Sequence, residues 1–224
     1  MANLPPHAKL TYSSHGEDAV LAAIYEEHGG LPEAGFYVDV GAYHPTAVSN
    51  TALLYEAGWR GINIEPNPAM ADYLTRLRPG DITLQQAAGT PGRTADLLFF
   101  GDWASSNTLD PDFGTMISTS QNVPIERSIP TAVVPLSDVF AEHLPPYLGI
   151  DFLTVDVEGM DVEVLESNDW GRYRPGVVAV EDLTLRLEEP ADSAVFRLLT
   201  AEGYRFVSHA LKTSFYLSPE LATT

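Results

Sequence analysis

Residues 36–68, which read FYVDVGAYHPTAVSNTALLYEAGWRGINIEPNP, decide the fold of this chain. Two short apolar runs rich in β-branched and aromatic residues, at 36–40 and 61–65, flank a helical pattern at 50–57. Such runs are typical of strands, and they are too apolar for a sheet that has one face in water. A strand, a helix and a second strand in this order predict a doubly wound α/β sheet that is covered on both faces.

The same alternation continues along the rest of the chain. Further strand-like runs lie at 82–86, 95–100, 150–155, 177–181 and 204–208, and further helical patterns lie at 16–28, 67–77, 159–167 and 191–202. We therefore expect one α/β domain over residues 1–224, with a mostly parallel sheet and an N-terminal helical cap at about residues 1–30. Residues 101–130 are polar with little periodicity, which predicts a long lid or substrate-binding loop.

Composition excludes several classes of protein. The 224 residues include 12 Lys or Arg and 31 Asp or Glu, so the formal net charge is −19, and there is no cysteine. Nucleic-acid binding needs clustered basic residues, so no nucleic-acid partner is expected. The lack of cysteine excludes disulfides, thiolate metal sites and cysteine nucleophiles. No apolar run approaches the roughly 18 residues of a membrane span, and no signal-peptide pattern opens the sequence. We expect a soluble, cytoplasmic protein without a membrane partner, and a homo-oligomer is compatible with the sequence.

The residues that end the first two strands indicate a nucleoside-binding site. In an open α/β sheet, ligands bind at the carboxyl ends of the strands. Asp39 and Gly41 lie at the end of the first strand. Glu65 ends the second, where a carboxylate can accept hydrogen bonds from both ribose hydroxyls. The G-x-G-x-x-G pattern that holds a dinucleotide pyrophosphate is absent. An adenosine cofactor without a pyrophosphate, S-adenosylmethionine, fits this combination.

Several motifs, in the same order, resemble those of the FkbM-type methyltransferases. They are YSSHGEDAVL at 12–21, YVDVGAYHP at 37–45 followed shortly by SNT, GWRGINIEPNP at 58–68, IDFLTVDVEGMDVEVL at 150–165 and VVAVEDL at 177–183. This resemblance, which extends over most of the chain, implies the Rossmann-like, seven-stranded sheet of the class I methyltransferases. It also implies an S-adenosylmethionine-dependent O-methyltransferase that acts on a hydroxyl of a small natural product such as a sugar or a macrolide.

The resemblance assigns cofactor contacts to particular positions. Asp39, Gly41 and Ala42 match the motif that holds the methionine part of the cofactor. Glu65 matches the ribose-binding acid, and Asn67 is expected beside the adenosine. Further contacts are expected after the third strand and in the N-terminal segment, at Ala87, Ser14, Glu17 and Asp18. The sequence departs from the family at Ser14, where Gln is common, and in the turn GAYHP after the first strand.

Acidic residues also follow the next two buried strands. Asp156 and Glu158 come after the run 150–155, and Glu181 and Asp182 end the run 177–181. Asp156 is expected to face the cofactor as well. Carboxylates this close need a counter-charge, and a hard divalent cation with oxygen ligands supplies one. We therefore predict a metal site, most suited to Mg²⁺, formed by Asp156, Glu181 and Asp182, similar to the layout in catechol O-methyltransferase. The alternative is an acidic pair capped by backbone amides or hydrogen-bonded by Tyr or Arg.

Methyl transfer requires a positioned acceptor oxygen and the removal of its proton. A metal at Asp156 would orient and acidify the acceptor. Glu158, after a buried strand, or His44, in the loop after the first strand, would then take the proton, and histidine has a suitable pKa. The alternative for His44 is a hydrogen bond within its own turn. In the 101–130 segment, Trp103, Ser105, Ser106 and Asn107 are candidates to cover the acceptor, and the alternative is a surface loop without ligand contact.

Two other classes of protein remain open from the sequence. An NAD-dependent oxidoreductase on the same fold would use Glu65 for the same ribose contact, although the glycine pattern argues against it. A non-catalytic cofactor-binding module could keep the fold without turnover.

Overall fold

The structure, a computed structural model, describes residues 8–222, leaving aside the side chain of Arg93. The helices are α1 (Glu17–Glu27), α2 (Ala52–Glu56), α3 (Pro68–Leu77), α4 (Pro111–Gln121), α5 (Leu136–His143), α6 (Asp161–Glu166), α7 (Ala194–Ala201) and α8 (Pro219–Ala222). The strands are β1 (Phe36–Val40), β2 (Arg60–Ile64), β3 (Ile82–Leu84), β4 (Ala87–Ala88), β5 (Arg93–Phe99), β6 (Arg127–Val134), β7 (Phe152–Val155), β8 (Val177–Glu181), β9 (Arg205–Ala210) and β10 (Thr213–Leu217). Residues 1–7 of the predicted cap and the last two residues of the predicted domain lie outside this range.

The main sheet has seven strands in the order β3-β2-β1-β7-β8-β10-β9. β10 runs antiparallel to both of its neighbours, and the other neighbouring pairs are parallel. β1 lies between β2 and β7, so that Asp39 stands opposite Asn63 on one side and Thr154 on the other. The predicted doubly wound, mostly parallel seven-stranded α/β sheet is confirmed.

Both faces of the central strands are buried. Since successive side chains of a strand point to opposite faces of the sheet, every residue of these strands is then covered. In β1, Val38 and Val40 pack into a cluster with helices α5, α6 and α7, whereas Tyr37 packs into a second cluster with α1 and Trp59. All five residues of β1 are buried, as are all five of β8. The continuous apolar runs of the sequence therefore correspond to strands covered on both sides, as expected.

A second, three-stranded sheet in the order β4-β6-β5 lies at the carboxyl end of the main sheet. β4 is parallel to β6, and β5 is antiparallel to it. Its apolar cluster contains Leu97, Phe99, Leu109 and Val133. This sheet forms one wall of the site described below.

The segment 101–130 is only partly irregular, contrary to the expectation of one long loop. Helix α4 occupies residues 111–121, with Asp110 as its N-cap, and β6 begins at residue 127. The prediction missed α4 because its sequence, PDFGTMISTSQ, carries a glycine and few apolar residues. β6 alternates exposed and buried residues around a proline, which weakens the strand pattern. Residues 101–107 keep an irregular conformation.

Other elements also differ from the sequence prediction. Helix α5 and strands β4 and β10 were not predicted, and the first helix begins after Gly16, which has a positive φ. Within residues 8–222, no helix is long and apolar enough to cross a membrane.

Candidate functional site

The turn after β1 is shaped by a close approach of two strands. Gly41 has a φ of +82°, and a Cβ atom there would lie 1.9 Å from the carbonyl oxygen of Asp156. Its N–H donates to the carbonyl of Ile64 at 2.9 Å. Only glycine fits this position, because any side chain would push β1 away from the end of β7.

Glu65, directly after β2, is held by the same turn. Its Oε2 accepts a hydrogen bond from the N–H of Tyr43 at 2.7 Å, and its Oε1 accepts one from the N–H of Asn67 at 2.7 Å. The residue is only 6% exposed. Burial raises the pKa of Glu65 to about 7, against the two backbone N–H groups that lower it. Each carboxylate oxygen keeps a lone pair for a ligand, because one N–H uses only part of its acceptor capacity.

A largely apolar cavity of about 700 Å³, open to solvent, begins at Glu65. Its floor is formed by strand ends of the main sheet, and its far wall comes from the second sheet and the start of the 101–130 segment. The principal lining residues are Gly41, Glu65, Asn67, Ala87, Leu97 and Val133. Asp156 and Glu158 lie at its border. Of the predicted cofactor contacts, the structure therefore brings Gly41, Glu65, Asn67, Ala87 and Asp156 together. We call this space the first cavity.

A buried arginine holds the loop that carries the turn. Arg78, which is 2% exposed, donates to the carbonyl of Pro45 and to the hydroxyls of Ser49 and Thr51. Thr51 in turn donates to Asp39 at 2.6 Å. Burial raises the pKa of Asp39 to about 6, and its hydrogen bond with Thr51 and the charge of Arg78 oppose the rise. Asp39 lines neither cavity, and through Thr51 and Arg78 it is linked to the loop that carries the turn.

The turn after β7 places two acids beside the first cavity. Glu158 has a left-handed φ of +56°, which is unusual for a residue with a side chain. Its carbonyl accepts from the Thr108 hydroxyl at 2.7 Å, and Asp161 accepts from the N–H groups of Val157 and Gly159. The turn is thus fixed from two sides. Burial, followed by the charge of Glu181, raises the pKa of Glu158 to about 7.

A second, polar cavity adjoins the first and shares Gly41, Tyr43, Ser105, Asp156 and Glu158 with it. Its other side is formed by the N-terminal segment, by Glu181 and by the hairpin between β9 and β10. These contribute Ser14, His15, Glu17, Glu181, Lys212 and Thr213, and Val48 comes from the loop after β1. Ser14 and Glu17, which were predicted as cofactor contacts, line this second cavity instead of the first.

The predicted metal site does not form. Glu181 and Asp182 are consecutive residues at a strand end, so their side chains point to opposite faces of the sheet. Glu181 lines the second cavity, whereas Asp182 accepts hydrogen bonds from the hydroxyls of Ser193 and Thr184, at 2.5 and 2.9 Å. Among residues 8–222, no three His, Cys, Asp or Glu side chains are grouped so that they could hold a metal ion.

Two other predicted cofactor residues lie outside both cavities. Asp18 accepts hydrogen bonds from Thr11, Tyr12 and Ser13, and so fixes the segment before α1. Ala42 is buried behind the turn, with its N–H directed to the carbonyl of Ile64 at 3.3 Å. Both residues support the backbone of the site without facing it.

His44 is turned away from the predicted acceptor. Its Nδ1 accepts from the N–H groups of Thr46 and Ala47, at 3.1 and 2.8 Å, so the neutral ring carries its proton on Nε2. Burial and the charge of Arg78 lower its pKa. The ring packs against Tyr73, with centroids 5.1 Å apart, and lines neither cavity. In this arrangement the ring has no free acceptor nitrogen. His44 therefore makes hydrogen bonds within its own turn, as the alternative interpretation of the sequence expected.

The 101–107 segment closes one side of the first cavity. Asn67 donates to the carbonyl of Asp102 at 2.9 Å, and Tyr43 donates to the carbonyl of Trp103 at 2.9 Å. Asn107 bonds Phe100 and Gly101 across the same loop, and Ser105 borders both cavities. Trp103 is 62% exposed and packs edge-on against Tyr73.

Several lining residues were not indicated by the sequence pattern. Tyr43 was not singled out because its contribution is a backbone N–H, which any residue type supplies. Leu97 and Val133 belong to a sheet whose pairing the sequence pattern does not reveal. Lys212 directly precedes strand β10, which was not predicted. The sequence contains only two lysines, and this scarcity could have drawn attention to Lys212.

The strand order, with β10 antiparallel between β8 and β9, and a cavity at the carboxyl ends of β1 and β2 together define the class I, S-adenosylmethionine-dependent methyltransferases. The family model described as "Methyltransferase FkbM domain" matches residues 39–206. The chain belongs to the FkbM methyltransferase family.

Three solved structures are similar to this chain at low sequence identity. A TehB-like S-adenosylmethionine-dependent methyltransferase from Corynebacterium glutamicum is 9% identical, with 91% of this chain and 88% of that chain covered and a TM-score of 0.44. Precorrin-6y C5,15-methyltransferase from Geobacter metallireducens is 13% identical, with coverage of 88% and 87% and a TM-score of 0.40. Aeropyrum pernix fibrillarin with natively bound S-adenosyl-L-methionine is 11% identical, with coverage of 96% and 84% and a TM-score of 0.45. No curated protein matches the chain.

Proposed function

We propose that this protein is an O-methyltransferase that binds S-adenosylmethionine in the first cavity and a small hydroxylated acceptor in the second. The observation that carries the proposal is Glu65. It is a buried carboxylate, oriented by two backbone N–H groups, at the edge of an apolar cavity. A pair of neighbouring hydroxyl groups, as on a ribose, complements its two free lone pairs.

The rest of the first cavity fits the remaining parts of the cofactor. Its apolar wall, which includes Leu97, Ala87 and Val133, suits the faces of an adenine ring. Gly41 leaves the backbone of the turn accessible beside Asp156, whose carboxylate can pair with the amino group of the methionine part. The residues present therefore fit S-adenosylmethionine. This cofactor has no pyrophosphate, so it does not need the glycine array of a dinucleotide site. Family membership favours this proposal over the oxidoreductase alternative.

The cofactor supplies an electrophilic methyl group when it is bound. The protein must then hold an acceptor oxygen at the boundary between the two cavities and take its proton. Glu158 borders both cavities and has a pKa raised to about 7, which suits a general base at neutral pH. The fixed turn around Glu158 holds its carboxylate without a competing hydrogen bond from the described residues. No step is assigned to a metal, because Asp182 is directed elsewhere.

Calorimetric titration with S-adenosylmethionine, and separately with NAD, tests the cofactor assignment. We expect micromolar binding of the first and none of the second, and binding of NAD alone would overturn the proposal. An acceptor screen with a panel of sugars and other hydroxylated small molecules, read out by formation of S-adenosylhomocysteine, tests the reaction. The screen is run after exhaustive chelation and again with added Mg²⁺. We expect equal rates in both conditions.

A further inference from the structure

The second cavity is lined by more acidic than basic side chains. Four carboxylates line it, from Glu17, Asp156, Glu158 and Glu181. The Lys and Arg side chains that line it are limited, within the described chain, to Lys212. A solvent-facing surface tolerates such an excess, but in a recess the repulsion between like charges is poorly screened.

The four carboxylates differ in how they are satisfied. Glu17 accepts hydrogen bonds from the N–H of His15 at 2.7 Å and from the Thr213 hydroxyl at 3.3 Å. The carboxylates of Asp156 and Glu158, by contrast, accept no hydrogen bond from any residue in the described part of the chain. The carboxylates that accept no hydrogen bond from the described residues therefore lie on the side of the cavity that adjoins the cofactor site.

Glu181 is the least exposed of the unsatisfied acids. It is 8% exposed, and its Oε1 lies 3.5 Å from the Nζ atom of Lys212. Its Oε2 is buried and has no hydrogen-bond partner among residues 8–222. A buried oxygen that lacks a partner is costly for a folded protein, and such an atom in a binding cavity points to a donor that the ligand supplies.

The acid–base properties of the cluster are consistent with a missing cation. Burial, and then the charge of Glu181, raises the pKa of Asp156 well above its ordinary value and raises that of Glu158 as well. The pKa of Glu181 is also raised by burial, although Lys212 lowers it. The half-exposed Lys212 lies beside Glu181 and His15 lies 3.2 Å from Glu17, so neither basic side chain pairs with Asp156 or Glu158.

We propose that the methyl acceptor carries a protonated amine, which enters the second cavity and donates a hydrogen bond to Glu181, while Asp156 pairs with the cofactor and Glu158 takes the proton. This inference rests on the proposed function and names the substrate class: a hydroxylated amine, such as an amino sugar or an amino alcohol. An ammonium group has three donors that can reach separately placed carboxylates, whereas a divalent metal needs ligands in a closer set than these residues form. An anionic acceptor is repelled by the same acids.

Lys212 has a defined place in this proposal. Its flexible side chain partly neutralises Glu181 in the free protein, and the ammonium group of the acceptor takes over that pairing. Removing Lys212 should therefore strengthen the binding of an ammonium compound, while removing the charge of Glu181 should weaken it. A residue with a purely structural role would not produce opposite changes of this kind.

The test uses matched triplets of small probes in which an ammonium, a hydroxyl or a carboxylate group occupies the same position on a hydroxylated skeleton. 6-Amino-6-deoxyglucose, glucose and glucuronate form one triplet, and ethanolamine, ethylene glycol and glycolate form another. Binding to the full chain saturated with S-adenosylhomocysteine is measured by ligand-observed NMR, with Mg²⁺ as a further probe. We expect the ammonium member of a triplet to bind at least about tenfold more tightly than the neutral member, since a hydrogen bond to a charged group contributes that much.

Three variants locate the effect. We expect Glu181→Gln to abolish the preference for ammonium, Lys212→Met to increase it, and Glu166→Gln, which removes an exposed charge outside the cavity, to leave it unchanged. If no ammonium probe is preferred, if the preference persists in Glu181→Gln, or if Mg²⁺ binds in place of the ammonium probes, the proposal is overturned. Titration with S-adenosylmethionine alone tests the proposed function separately, since it does not involve the acceptor.

Discussion

The carboxylates of the two adjoining cavities differ in the hydrogen bonds that they accept from the protein. In the first cavity, Glu65 is oriented by two backbone N–H groups and has its remaining lone pairs free. In the second, Asp156 and Glu158 receive no hydrogen bond from the described residues, and Glu181 has one buried oxygen without a partner. A preorganised carboxylate selects hydroxyl groups by geometry, whereas a cluster of unsatisfied carboxylates selects charge. The first cavity is therefore suited to a constant cofactor, and the second to a ligand that brings its own counter-charge.

The largest effect that separates the cavities is expected from Glu158→Gln. The variant keeps the shape of the side chain but removes the group proposed to take the proton, so kcat should fall by about 10²–10⁴-fold. Affinity for S-adenosylmethionine should change little, because Glu65 is untouched. Steady-state kinetics together with calorimetry measure the two quantities. Glu166→Gln serves as the charge-matched control, and a Glu158→Gln enzyme with wild-type kcat would remove Glu158 from the mechanism.

A substitution at the turn shared by both cavities should damage both. Gly41→Ala introduces a Cβ atom 1.9 Å from the carbonyl oxygen of Asp156 and strains a positive φ, so we expect a loss of about 2–4 kcal/mol in the free energy of unfolding. Gly58→Ala is the matched control. Gly58 has a φ of +101° but open space around it. Gly58→Ala should therefore lower the free energy of unfolding only by the backbone strain, about 1–2 kcal/mol. Urea denaturation compares the two, and equal losses would contradict the steric argument.

Glu65→Gln should affect the first cavity alone. It replaces charge-assisted hydrogen bonds to hydroxyl donors with weaker ones, and its NH₂ group opposes a backbone N–H, so affinity for S-adenosylmethionine should fall by about 10–100-fold. Binding of acceptor probes in the second cavity should stay the same. Asp72→Asn, on the exposed side of α3, is the control in the same calorimetric titration. Unchanged cofactor affinity in Glu65→Gln would remove this residue from the site.

The fourth expected effect is a pH dependence of stability that Glu65 causes. Its pKa is raised from the ordinary 4.5 to about 7, chiefly by burial, so the folded protein holds this proton more tightly than the unfolded chain does. The stabilisation is complete below about pH 4.5 and is lost as the pH rises through about 7. Between pH 5 and 8, the free energy of unfolding of the unliganded wild type should fall by about 2–3 kcal/mol more than that of Glu65→Gln. Parallel pH profiles of the two proteins would show that Glu65 ionises normally.

The central strands were predictable because burial on both faces leaves an apolar run that needs no tertiary information. β1, β7 and β8 are of this kind, and their predicted positions agree with the structure to within two residues. β6 alternates exposed and buried residues around a proline, and α4 has few apolar residues. Their stability depends on packing against other elements, so their own sequences indicate them weakly.

The site residues divide in a similar way. Gly41, Glu65, Asn67, Ala87 and Asp156 follow strands whose carboxyl ends meet at one edge of the sheet, and they border the first cavity as expected. The roles of the consecutive acids at the end of β8 were harder to predict, because adjacent residues of a strand point to opposite faces of the sheet. That rule, applied to the consecutive residues Glu181 and Asp182, would have shown that both cannot serve one metal site.

The sequence by itself determined the central parallel strands of the α/β sheet, the family and the acids at the strand ends, because each of these is encoded in local apolar patterns and ordered motifs. Only the tertiary structure decided which of those acids receive hydrogen bonds. Asp182 is paired with Ser193, a residue 11 positions away, and Glu17 is paired with Thr213 from the opposite end of the chain. Such partners depend on how distant segments pack, and they separate the carboxylates that support the fold from those left available to a ligand.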